Sequence, residues 1–466
     1  MTALQVHPSD LEPSPVGHRT YLTRGRSRLL DTGAVLIGVL VLAILIPANL
    51  VVPQLTGISR PTLMLGLLAA AGWFLARLHP RFLLGGPQPL RWAGATYLVA
   101  VLLAYAAGYL RGLPPLEANA ADRAMIGTLV FVGVALVAAD GLPNRARLDD
   151  VLRWLVWLAT VMALIGHIQF AFNVDIAAMI QIPGLANPFD PIGFRDRGDG
   201  FFQVASTASH YIEFSVVMAM AVPLGIHVSR FGRSPRTRQA ALVCTVLIAA
   251  AVPVTLSRSG FAALFAGMLA MAVVWRWRMR FNVAVAGLGM IGALMLVRPG
   301  LLGTIQSLFL NLGNDPSIEG RTEDYDATST YLADRPWFGR GPGTFIPTLY
   351  RWLDNEWLMH LITVGIVGTA ALAVWHLTAI WLAWKAYRRA GRDADRDLCA
   401  CLIAAQVMAM VAAATFDAMS FTTHTTVLAV LTGAAGAMWR FTHPARLVRN
   451  AAAVGLRPEP TGPPRP

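Results

Sequence analysis

The sequence has little charge for its length. Charged residues make up 14% of its 466 residues, whereas soluble domains carry about 25%. Apolar residues reach 55%, and the mean hydropathy is +0.54. So little polar surface does not cover a soluble protein of this size, and the composition therefore predicts an integral membrane protein.

Lysine is nearly absent, because Lys385 is the only one and arginine supplies the rest of the basic charge. The formal net charge of +12 would suit a nucleic-acid-binding protein if the arginines were grouped on a polar domain. They instead flank apolar runs, as the orientation rule for membrane proteins predicts. Nucleic acid is therefore not an expected partner.

Cysteine is scarce as well. Cys244, Cys399 and Cys401 all fall within or at the edge of apolar runs, where cysteine usually serves as a small buried hydrophobe. Metal-ligand clusters, Gly-rich nucleotide-binding loops and Gly-x-Ser-x-Gly elbows are also missing from the sequence. We therefore expect no disulfide framework, no metal and no other cofactor.

The apolar residues are gathered in runs long enough to cross a bilayer, about 17–25 residues each. The runs start near Leu30, Pro61, Trp92, Met125, Val151, Tyr211, Ala240, Gly260, Phe281, Asn355, Leu398 and Thr425. We therefore expect an all-α integral membrane protein with about twelve transmembrane helices. The halves show no internal repeat, which argues against a transporter built from two similar units.

Basic residues recur in alternate loops, and this recurrence predicts an orientation with the amino terminus in the cytoplasm. The cytoplasmic groups are then 77–91, 145–153, 230–238, 276–280, 385–396 and the tail after Trp439. Two long polar intervals, 173–209 and 299–354, lie together on the outer side. A single site built from both intervals would face the outer leaflet.

The two ends of the chain are polar and rich in proline. Their composition predicts disordered cytoplasmic tails at 1–29 and 441–466, around a membrane domain at 30–440. No small-residue cleavage site follows a short apolar core near the start. The first apolar run is therefore predicted to be a helix rather than a signal peptide.

The interval 299–354 is longer and more polar than a connection between two helices needs, since a short turn would join them. It gathers acids, arginines, tryptophans and Gly/Pro turns, as in the catalytic loop of a membrane enzyme. The candidates for substrate contact here are Arg321, Arg340, Asp354 and Asn355. A solvated loop charge is the alternative for Arg321, and a helix N-cap is the alternative for Asp354 or Asn355.

The interval 173–209 and the helix start behind it offer four further candidates. Arg195 and Arg197 would form a phosphate clamp, because a guanidinium binds phosphate through two parallel hydrogen bonds. Salt bridges to neighbouring aspartates are the alternative. His210 and Glu213 lie about one helical turn apart and would face one groove. The alternative is that Glu213 satisfies backbone donors in the first turn of a helix.

Two charged residues lie close to the predicted hydrocarbon region. Arg258 stands in the turn Ser-Arg-Ser-Gly at 257–260 on the outer side, and Asp417 falls in the outer half of the eleventh predicted span. Charges at such depth usually mark function. Snorkelling to the headgroups is the alternative for Arg258, and a structural pairing with an arginine is the alternative for Asp417.

Four segments together resemble the O-antigen ligase and O-antigen polymerase superfamily of bacterial membrane glycosyltransferases. No single segment is specific, but their order and common sidedness carry the resemblance, which covers about 190–380. The segments are Arg-x-x-Gly with His-x-x-Glu-Phe at 197–214, Ser-Arg-Ser-Gly at 257–260, Gly-Arg with Pro-x-Phe and Gly-x-Gly at 320–345, and Asn-x-x-Leu with Gly-Ile-x-Gly at 355–368.

The resemblance implies a GT-C-like enzyme that moves a glycan from an undecaprenyl-pyrophosphate carrier to an acceptor hydroxyl. The implied location is the bacterial cytoplasmic (inner) membrane, with the active site facing the periplasm. The implied partners are the lipid-linked glycan donor, a glycan, lipid or protein acceptor, and membrane lipids. Arg258 and Arg321 would bind the pyrophosphate. Lipopolysaccharide ligases of this kind carry His where this chain has Asp354, which leaves open the base, the acceptor and the choice between ligase and polymerase.

A metal-independent, inverting displacement agrees with elementary chemistry. Arg258 and Arg321, together with Arg197, would stabilise the charge that grows on the departing pyrophosphate. Asp354 is the first candidate for the base that takes the acceptor's proton, and Glu213 is the second. Two other classes remain open. A transporter or flippase of lipid-linked sugars would continue its polar residues to the cytoplasmic side, and a non-catalytic assembly partner would lack converging arginines.

Overall fold

A computed structural model shows a chain that is almost entirely helical. It describes residues 11–13, 21–23, 31–55, 57–78, 87–188, 195–196, 201–297, 300, 303–304, 306 and 316–444. The side chains at 11–13, 21–23, 195–196, 295, 297 and 316–323 lie outside that description.

The described helices fall into long apolar helices and a few short or polar ones. The helices are α1 Thr32–Leu45, α2 Pro61–Leu78, α3 Pro89–Leu110, α4 Pro115–Gly141, α5 Arg145–Phe172, α6 Ile176–Met179, α7 Tyr211–Phe231, α8 Pro235–Val254, α9 Arg258–Val274, α10 Trp277–Val297, α11 Pro316–Asp334, α12 Glu356–Arg389, α13 Asp393–Ala413 and α14 Thr422–Phe441. A single 3-10 turn, Ala418–Ser420, precedes α14. Two antiparallel strand pairs complete the set, β1 Leu11–Pro13 with β2 Tyr21–Thr23, and β3 Arg195–Asp196 with β4 Phe202–Gln203.

Within the described residues, eight helices are long and apolar enough to cross a membrane, and α1 and α9 are shorter apolar helices. The prediction of an all-α integral membrane protein is confirmed. The number of about twelve spans stays a prediction. So do the domain limits, although β1 and β2 pair inside the tail predicted to be disordered, and the polar interval 299–354 contains α11.

Ion pairs join several helices at one end of the bundle. Asp140, at the end of α4, accepts from Arg77 at the end of α2 and from Arg91 near the start of α3, the latter at 2.9 Å. Arg145, at the start of α5, donates to Asp395 at the start of α13 at 2.9 Å. We call this the basic end. The arginines that the orientation rule assigns to the cytoplasm meet here.

The opposite end of the bundle is formed by the starts of α2, α7, α12 and α14. Arg60, just before α2, donates to Thr422 at the start of α14. Glu213 in α7 accepts from the backbone of Thr423 in α14 at 2.8 Å. We call this the loop end, because both long polar intervals, 173–209 and 299–354, connect helices there.

Helix α12 is interrupted at Gly365, where the backbone adopts φ 69° and ψ −172°. At this break the N–H of Ile366 donates to the carbonyl of Pro336 at 2.9 Å, and the N–H of Gly341 donates to the carbonyl of Thr363 at 2.9 Å. The backbone between Pro336 and Gly341 thus supplies partners that the interrupted helix lacks. Irregular backbone at membrane depth requires such partners, since lipid offers none.

Two glycines allow this insertion into α12. A Cβ at Gly339 would lie 2.5 Å from the carbonyl carbon of Thr363, and a Cβ at Gly365 would overlap the carbonyl group of Trp337. Both residues also have positive φ, 65° and 69° respectively, a region that L side chains rarely adopt. The glycines therefore lie where two backbones touch, and we name residues 336–343 the inserted loop.

Candidate active site

A cavity of about 780 Å³ opens at the loop end. Residues one or more turns into the surrounding helices give it apolar walls, among them Val101 of α3, Phe131 and Val134 of α4, and Ala429 of α14. Such walls suit an acyl or prenyl chain, because burial of apolar surface is favourable at about 25 cal/mol per Å².

Polar groups line the same cavity near the helix starts. They are Arg60, Arg123, Glu356, His360 and Asp417, together with Tyr97. Cations, carboxylates and an imidazole thus share one cavity with a hydrocarbon-like wall. The arrangement fits an amphiphile with a charged head group, and it places acid–base groups beside that head group.

Tyr97, His360 and Glu356 form a connected chain on the cavity wall. His360 Nδ1 lies 2.5 Å from Glu356 Oε1, and His360 Nε2 lies 2.9 Å from Tyr97 Oη. The second oxygen of Glu356 accepts from the backbone N–H of Met419 at 2.7 Å. Glu356 and His360 share a helix face because they are four residues apart in α12. The exposed fractions of Tyr97, His360 and Glu356 are 1%, 7% and 3%.

The sequence analysis missed this chain. The spacing of Glu356 and His360 was visible in the sequence, as Glu-Trp-Leu-Met-His inside an apolar helix. Tyr97 was not, because it lies in α3 and meets His360 only through the packing of α3 against α12.

Asp417 lines the cavity from the connection between α13 and α14. The prediction that it lies inside the eleventh span is wrong, since α13 ends at Ala413 and Asp417 opens the 3-10 turn. Burial raises the pKa of its carboxyl to about 7, and the nearby charge of Glu356 raises this pKa further. Asp417 is therefore a carboxyl that gains and loses its proton near neutral pH.

Replacing Asp417 with asparagine is expected to remove a pH dependence of stability. The folded pKa of about 7 lies above the usual 3.8, so the folded protein retains a proton that the unfolded chain releases. Stability is then highest below pH 4 and falls as pH rises through 7, by at most on the order of 4 kcal/mol. Melting of D417N and wild type in detergent should differ most at pH 8, in favour of D417N, and converge towards pH 4. A difference that stays constant with pH would contradict the assignment.

Arg60 is a half-buried cation directly before α2. Its Nη1 donates to Thr422 Oγ1, and among the residues that the structure describes no carboxylate lies within ion-pair distance of it. Burial lowers the pKa of its guanidinium, and the charge of Glu213 partly opposes this shift. Arg123 of α4 also lines the cavity and is exposed. These two arginines are the described cations that line the cavity.

Glu213 is fully buried, and donors occupy both of its oxygens. One oxygen accepts from the backbone N–H of Thr423 at 2.8 Å and of His424 at 3.1 Å. The other accepts from the N–H and the hydroxyl of Ser209 at 3.0 and 2.8 Å. This geometry favours the alternative role, in which Glu213 satisfies backbone donors at helix starts. Its role as a base stays a prediction.

His210 and Arg258 both stand at helix starts of the loop end. His210 is the N-cap of α7, and its Nδ1 accepts from the backbone N–H of Ile212 at 3.2 Å. Arg258 opens α9 directly after the N-cap Ser257. The start of α9 packs closely on α7, because a Cβ at Gly260 would lie 2.5 Å from the Cβ of Ser215. The described lining of the cavity includes neither His210 nor Arg258.

Asn355 is the N-cap of α12, and its Oδ1 accepts from the backbone N–H of Leu358 at 3.2 Å. The capping role that the sequence offered as an alternative is therefore present. Asp354, directly before it, is exposed. Asp354 remains the exposed carboxylate nearest to the start of α12 in the chain, and its role as a base stays a prediction.

Arg340 belongs to the inserted loop and is held by tyrosines. Its Nη2 donates to Tyr350 Oη at 2.6 Å, and its guanidinium lies 4.8 Å from the ring of Tyr350 and 5.4 Å from the ring of Tyr331. Tyr350 in turn donates to the buried Glu117. These contacts fix the loop against the start of α4 and give Arg340 a structural role. Substrate binding by Arg340 stays a prediction.

The structure does not describe the side chains of the remaining predicted arginines. Arg195 lies in β3 and Arg321 lies in α11, but both of their side chains are outside the described part, and Arg197 is outside it altogether. The proposed clamp of Arg195 and Arg197 and the pairing of Arg258 with Arg321 therefore stay predictions.

Among the residues that the structure describes, one group of side chains has metal-ligand atoms close together, within 4.8 Å of one another. It consists of His227, Asp397 and Cys401 near the basic end, far along the helices from the cavity. Arg230 already pairs with Asp397, and His227 Nδ1 lies 2.9 Å from Asp397. A guanidinium thus occupies the position next to the carboxylate that a metal cation would need.

Comparison with known families agrees with the resemblance seen in the sequence. The O-antigen ligase family model matches residues 243–373. This segment contains Arg258, the inserted loop, and the cavity wall formed by Glu356 and His360. The match confirms the resemblance to the O-antigen ligase and polymerase superfamily. A search of curated proteins found no match to this chain.

Proposed function

We propose that this chain, whose residues 243–373 match the O-antigen ligase family, is a membrane glycosyltransferase. It moves a glycan from an undecaprenyl-pyrophosphate carrier to an acceptor hydroxyl by a metal-independent, inverting displacement. The observation that carries the proposal is the cavity at the loop end. One wall of that cavity comes from the matched segment, and its lining combines hydrocarbon-like and charged surfaces.

A lipid-linked pyrophosphate has the shape and polarity that this cavity requires. Its prenyl chain would lie along the apolar wall, and its pyrophosphate would lie near Arg60 and Arg123 at the helix starts. Arginine suits this role because its planar fork binds phosphate oxygens through paired hydrogen bonds. Arg258 and Arg321, which the resemblance assigns to pyrophosphate, belong to the same proposal.

The displacement needs the protein to stabilise the leaving group and to remove a proton from the acceptor. Charge grows on the pyrophosphate as the sugar–oxygen bond breaks, and guanidinium groups fixed in a water-poor cavity stabilise that charge. The acceptor oxygen attacks the sugar carbon from the opposite face, which inverts its configuration, and a base removes the acceptor's proton. Asp354 and Glu213 are the candidates from the sequence for this base.

The distribution of charge supports a cavity that faces the outside of the cytoplasmic membrane. The basic end carries the loops that the orientation rule assigns to the cytoplasm, and the cavity opens at the opposite end. The basic end is tied by ion pairs such as Arg145–Asp395 and Arg91–Asp140. These ties favour a one-sided binding site over a path through the bundle, as a flippase would need.

The direct test is transfer by the purified protein in lipid nanodiscs. The donor is an undecaprenyl-pyrophosphate-linked oligosaccharide, and the acceptors are a panel of hydroxyl-bearing glycans and glycolipids, without ATP. We expect a new glycosidic bond in the product, with inverted configuration, in the presence of EDTA. Translocation of the donor across vesicles without bond cleavage would instead identify a flippase and overturn the proposal.

Replacing Arg258 with alanine is expected to abolish transfer while the protein remains folded and inserted. Loss of one preorganised donor to a transition-state charge lowers kcat by on the order of 10²–10³-fold. The matched control is Arg236→Ala, because Arg236 is an exposed arginine in the first turn of α8, at the opposite end of the bundle from the cavity. Near-normal transfer by R258A in the nanodisc assay would refute the role of Arg258.

A further inference from the structure

We propose that Tyr97, His360 and Glu356 form a proton relay that takes the proton of the acceptor hydroxyl. The inference rests on the proposed function and names the proton acceptor within it. It assigns to His360 the role of base, to Tyr97 that of the group in contact with the acceptor, and to Glu356 that of a positioning residue.

The hydrogen bonds define the direction of the relay. Both oxygens of Glu356 are engaged, one as acceptor from the backbone N–H of Met419 at 2.7 Å and one in a hydrogen bond with His360 Nδ1 at 2.5 Å. The relay takes Glu356 as the acceptor of this hydrogen bond, so that His360 carries its proton on Nδ1. His360 Nε2 is then the acceptor for the hydroxyl of Tyr97 at 2.9 Å.

This arrangement matches the logic of a catalytic triad, in which a buried carboxylate fixes the tautomer of an imidazole and stabilises its cation. In the relay, the phenol stands where such a triad has its hydroxyl. The phenol accepts a proton on one lone pair while it releases its own to His360. All three residues line the cavity that is proposed to hold the donor head group.

The proton balance closes without any other reagent. The acceptor oxygen forms its bond to the sugar carbon as the sugar–phosphate oxygen bond breaks and pyrophosphate leaves on its lipid. The acceptor's proton passes to Tyr97 Oη, and the proton of Tyr97 passes to His360 Nε2. The imidazolium that results is stabilised by Glu356, and it later returns the proton to water or to the released phosphate.

A purely structural role explains this chain less well. Asn355 and Glu213 show what structural polar groups at this end do, because their side-chain oxygens accept backbone N–H groups of helix starts. Tyr97 and His360 instead bond to each other, across α3 and α12, on the wall of the cavity.

The test uses full-length protein in nanodiscs and the transfer assay of the proposed function. Tyr97→Phe keeps the ring and removes the relay hydroxyl, and His360→Gln keeps a polar side chain and removes the base. We expect each to lower kcat on the order of 10²–10⁴-fold, the range for loss of a general base, with KM for the donor changed less than threefold. Glu356→Gln is expected to lower kcat less than His360→Gln does.

The pH profile separates a relay from a structural contact. A His360 that is already protonated cannot accept the proton of Tyr97. The kcat of the wild type should therefore fall at low pH, and this acid limb of the pH profile should be absent in H360Q. The described charged or titratable groups near His360 are His376 in α12 and those that share its cavity, namely Glu356, Tyr97, Asp417, Arg60 and Arg123. Because Asp417 also titrates near pH 7, D417N serves as the control and should retain the acid limb.

The outcomes divide cleanly. Transfer by the wild type with near-normal kcat in both Y97F and H360Q overturns the relay and leaves the proposed function standing. Unchanged acid limbs in folded but slow variants also overturn it, because a structural contact would behave in that way. Absence of transfer by the wild type, with all donors and acceptors, overturns the proposed function and the relay together. If H360Q fails to fold, judged by size-exclusion chromatography, Y97F decides alone.

Discussion

Gly365→Ala is expected to prevent most of the protein from folding. Alanine at this position would hold φ 69° and ψ −172°, a conformation that is essentially restricted to glycine and costs about 1–3 kcal/mol for other residues. Its Cβ would also overlap the carbonyl group of Trp337. The inserted loop would have to move, which breaks the hydrogen bonds of Ile366 and Gly341 to the loop and to α12.

The backbone strain and the lost hydrogen bonds together are a large fraction of the free energy of unfolding of a typical protein, which is only about 5–15 kcal/mol. Folded yield of G365A should therefore fall severely, as measured by size-exclusion chromatography in detergent and by thermal melting of the remaining fraction. Gly72→Ala is the matched control, because Gly72 lies in a regular helix and a Cβ there meets nothing within 4 Å. Equal yield and melting temperature of the two variants would contradict the role of the break.

Gly339→Ala tests the same contact from the other side. Its Cβ would lie 2.5 Å from the carbonyl carbon of Thr363 and 2.7 Å from the amide of Gly365. The two glycines touch one another's backbones, so the effects of the two changes should not add. A double variant close to the worse single variant would show that both act through one contact.

The apolar helices were predictable from the sequence for a physical reason. Lipid demands about 20 consecutive apolar residues per span, and this demand leaves a local pattern. Helix caps were also visible, since the N-cap role of Asn355 depends only on its neighbours in the chain. The alternative for Glu213, acceptance of backbone donors, was local only in part, because Ser209 is a neighbour in the chain but Thr423 and His424 belong to α14.

The cavity was not predictable, because its polar groups come from distant segments that look ordinary on their own. Tyr97 reads as an aromatic residue within an apolar run, and Arg60 reads as one of several scattered arginines of the predicted outer loops. Only the packing of α3 against α12, and of the start of α2 against the start of α14, brings them to one cavity. No periodicity in one segment encodes such a meeting.

The inserted loop shows an intermediate case. The motif glycines at 339–343 and 365–368 were recognised as part of a resemblance, but the sequence offered no physical reason for them. The structure supplies that reason for Gly339 and Gly365, where a side chain has no room between two backbones. The interruption of α12 was hidden because the residues on both sides of Gly365 continue an apolar helical pattern.

Arg60→Ala is expected to lower transfer on the order of 10²–10³-fold, the effect of losing one fixed donor to a charge that develops in the transition state. Arg60 is half-buried at the cavity, its one described hydrogen bond is to the neutral Thr422, and burial lowers the pKa of its guanidinium. Such a cation is poorly compensated until an anion arrives. Binding of a pyrophosphate would supply that anion.

The effect of the substitution on the melting temperature distinguishes a substrate-binding arginine from a structural one. Replacing a structural arginine lowers the stability of the protein, because the replacement leaves a carboxylate unpaired. Arg60 forms no ion pair with a carboxylate of the described residues, and Glu213 is the described carboxylate whose charge acts on it. R60A should therefore lose much less melting temperature than a variant of an ion-paired arginine, while its kcat/KM collapses. Arg145→Ala is the structural counterpart, because Arg145 pairs with the buried Asp395 and its loss should lower the melting temperature.

Ligand-dependent stability completes the argument for Arg60. A lipid-linked pyrophosphate that binds the folded protein should raise the melting temperature of the wild type by mass action, and R60A should lose most of this rise. Arg60→Lys should recover part of it, because lysine restores the charge but not the paired donors of the guanidinium. Equal stabilisation of wild type and R60A by the donor would place the pyrophosphate elsewhere, and Arg258 with Arg321 would then be its remaining candidates.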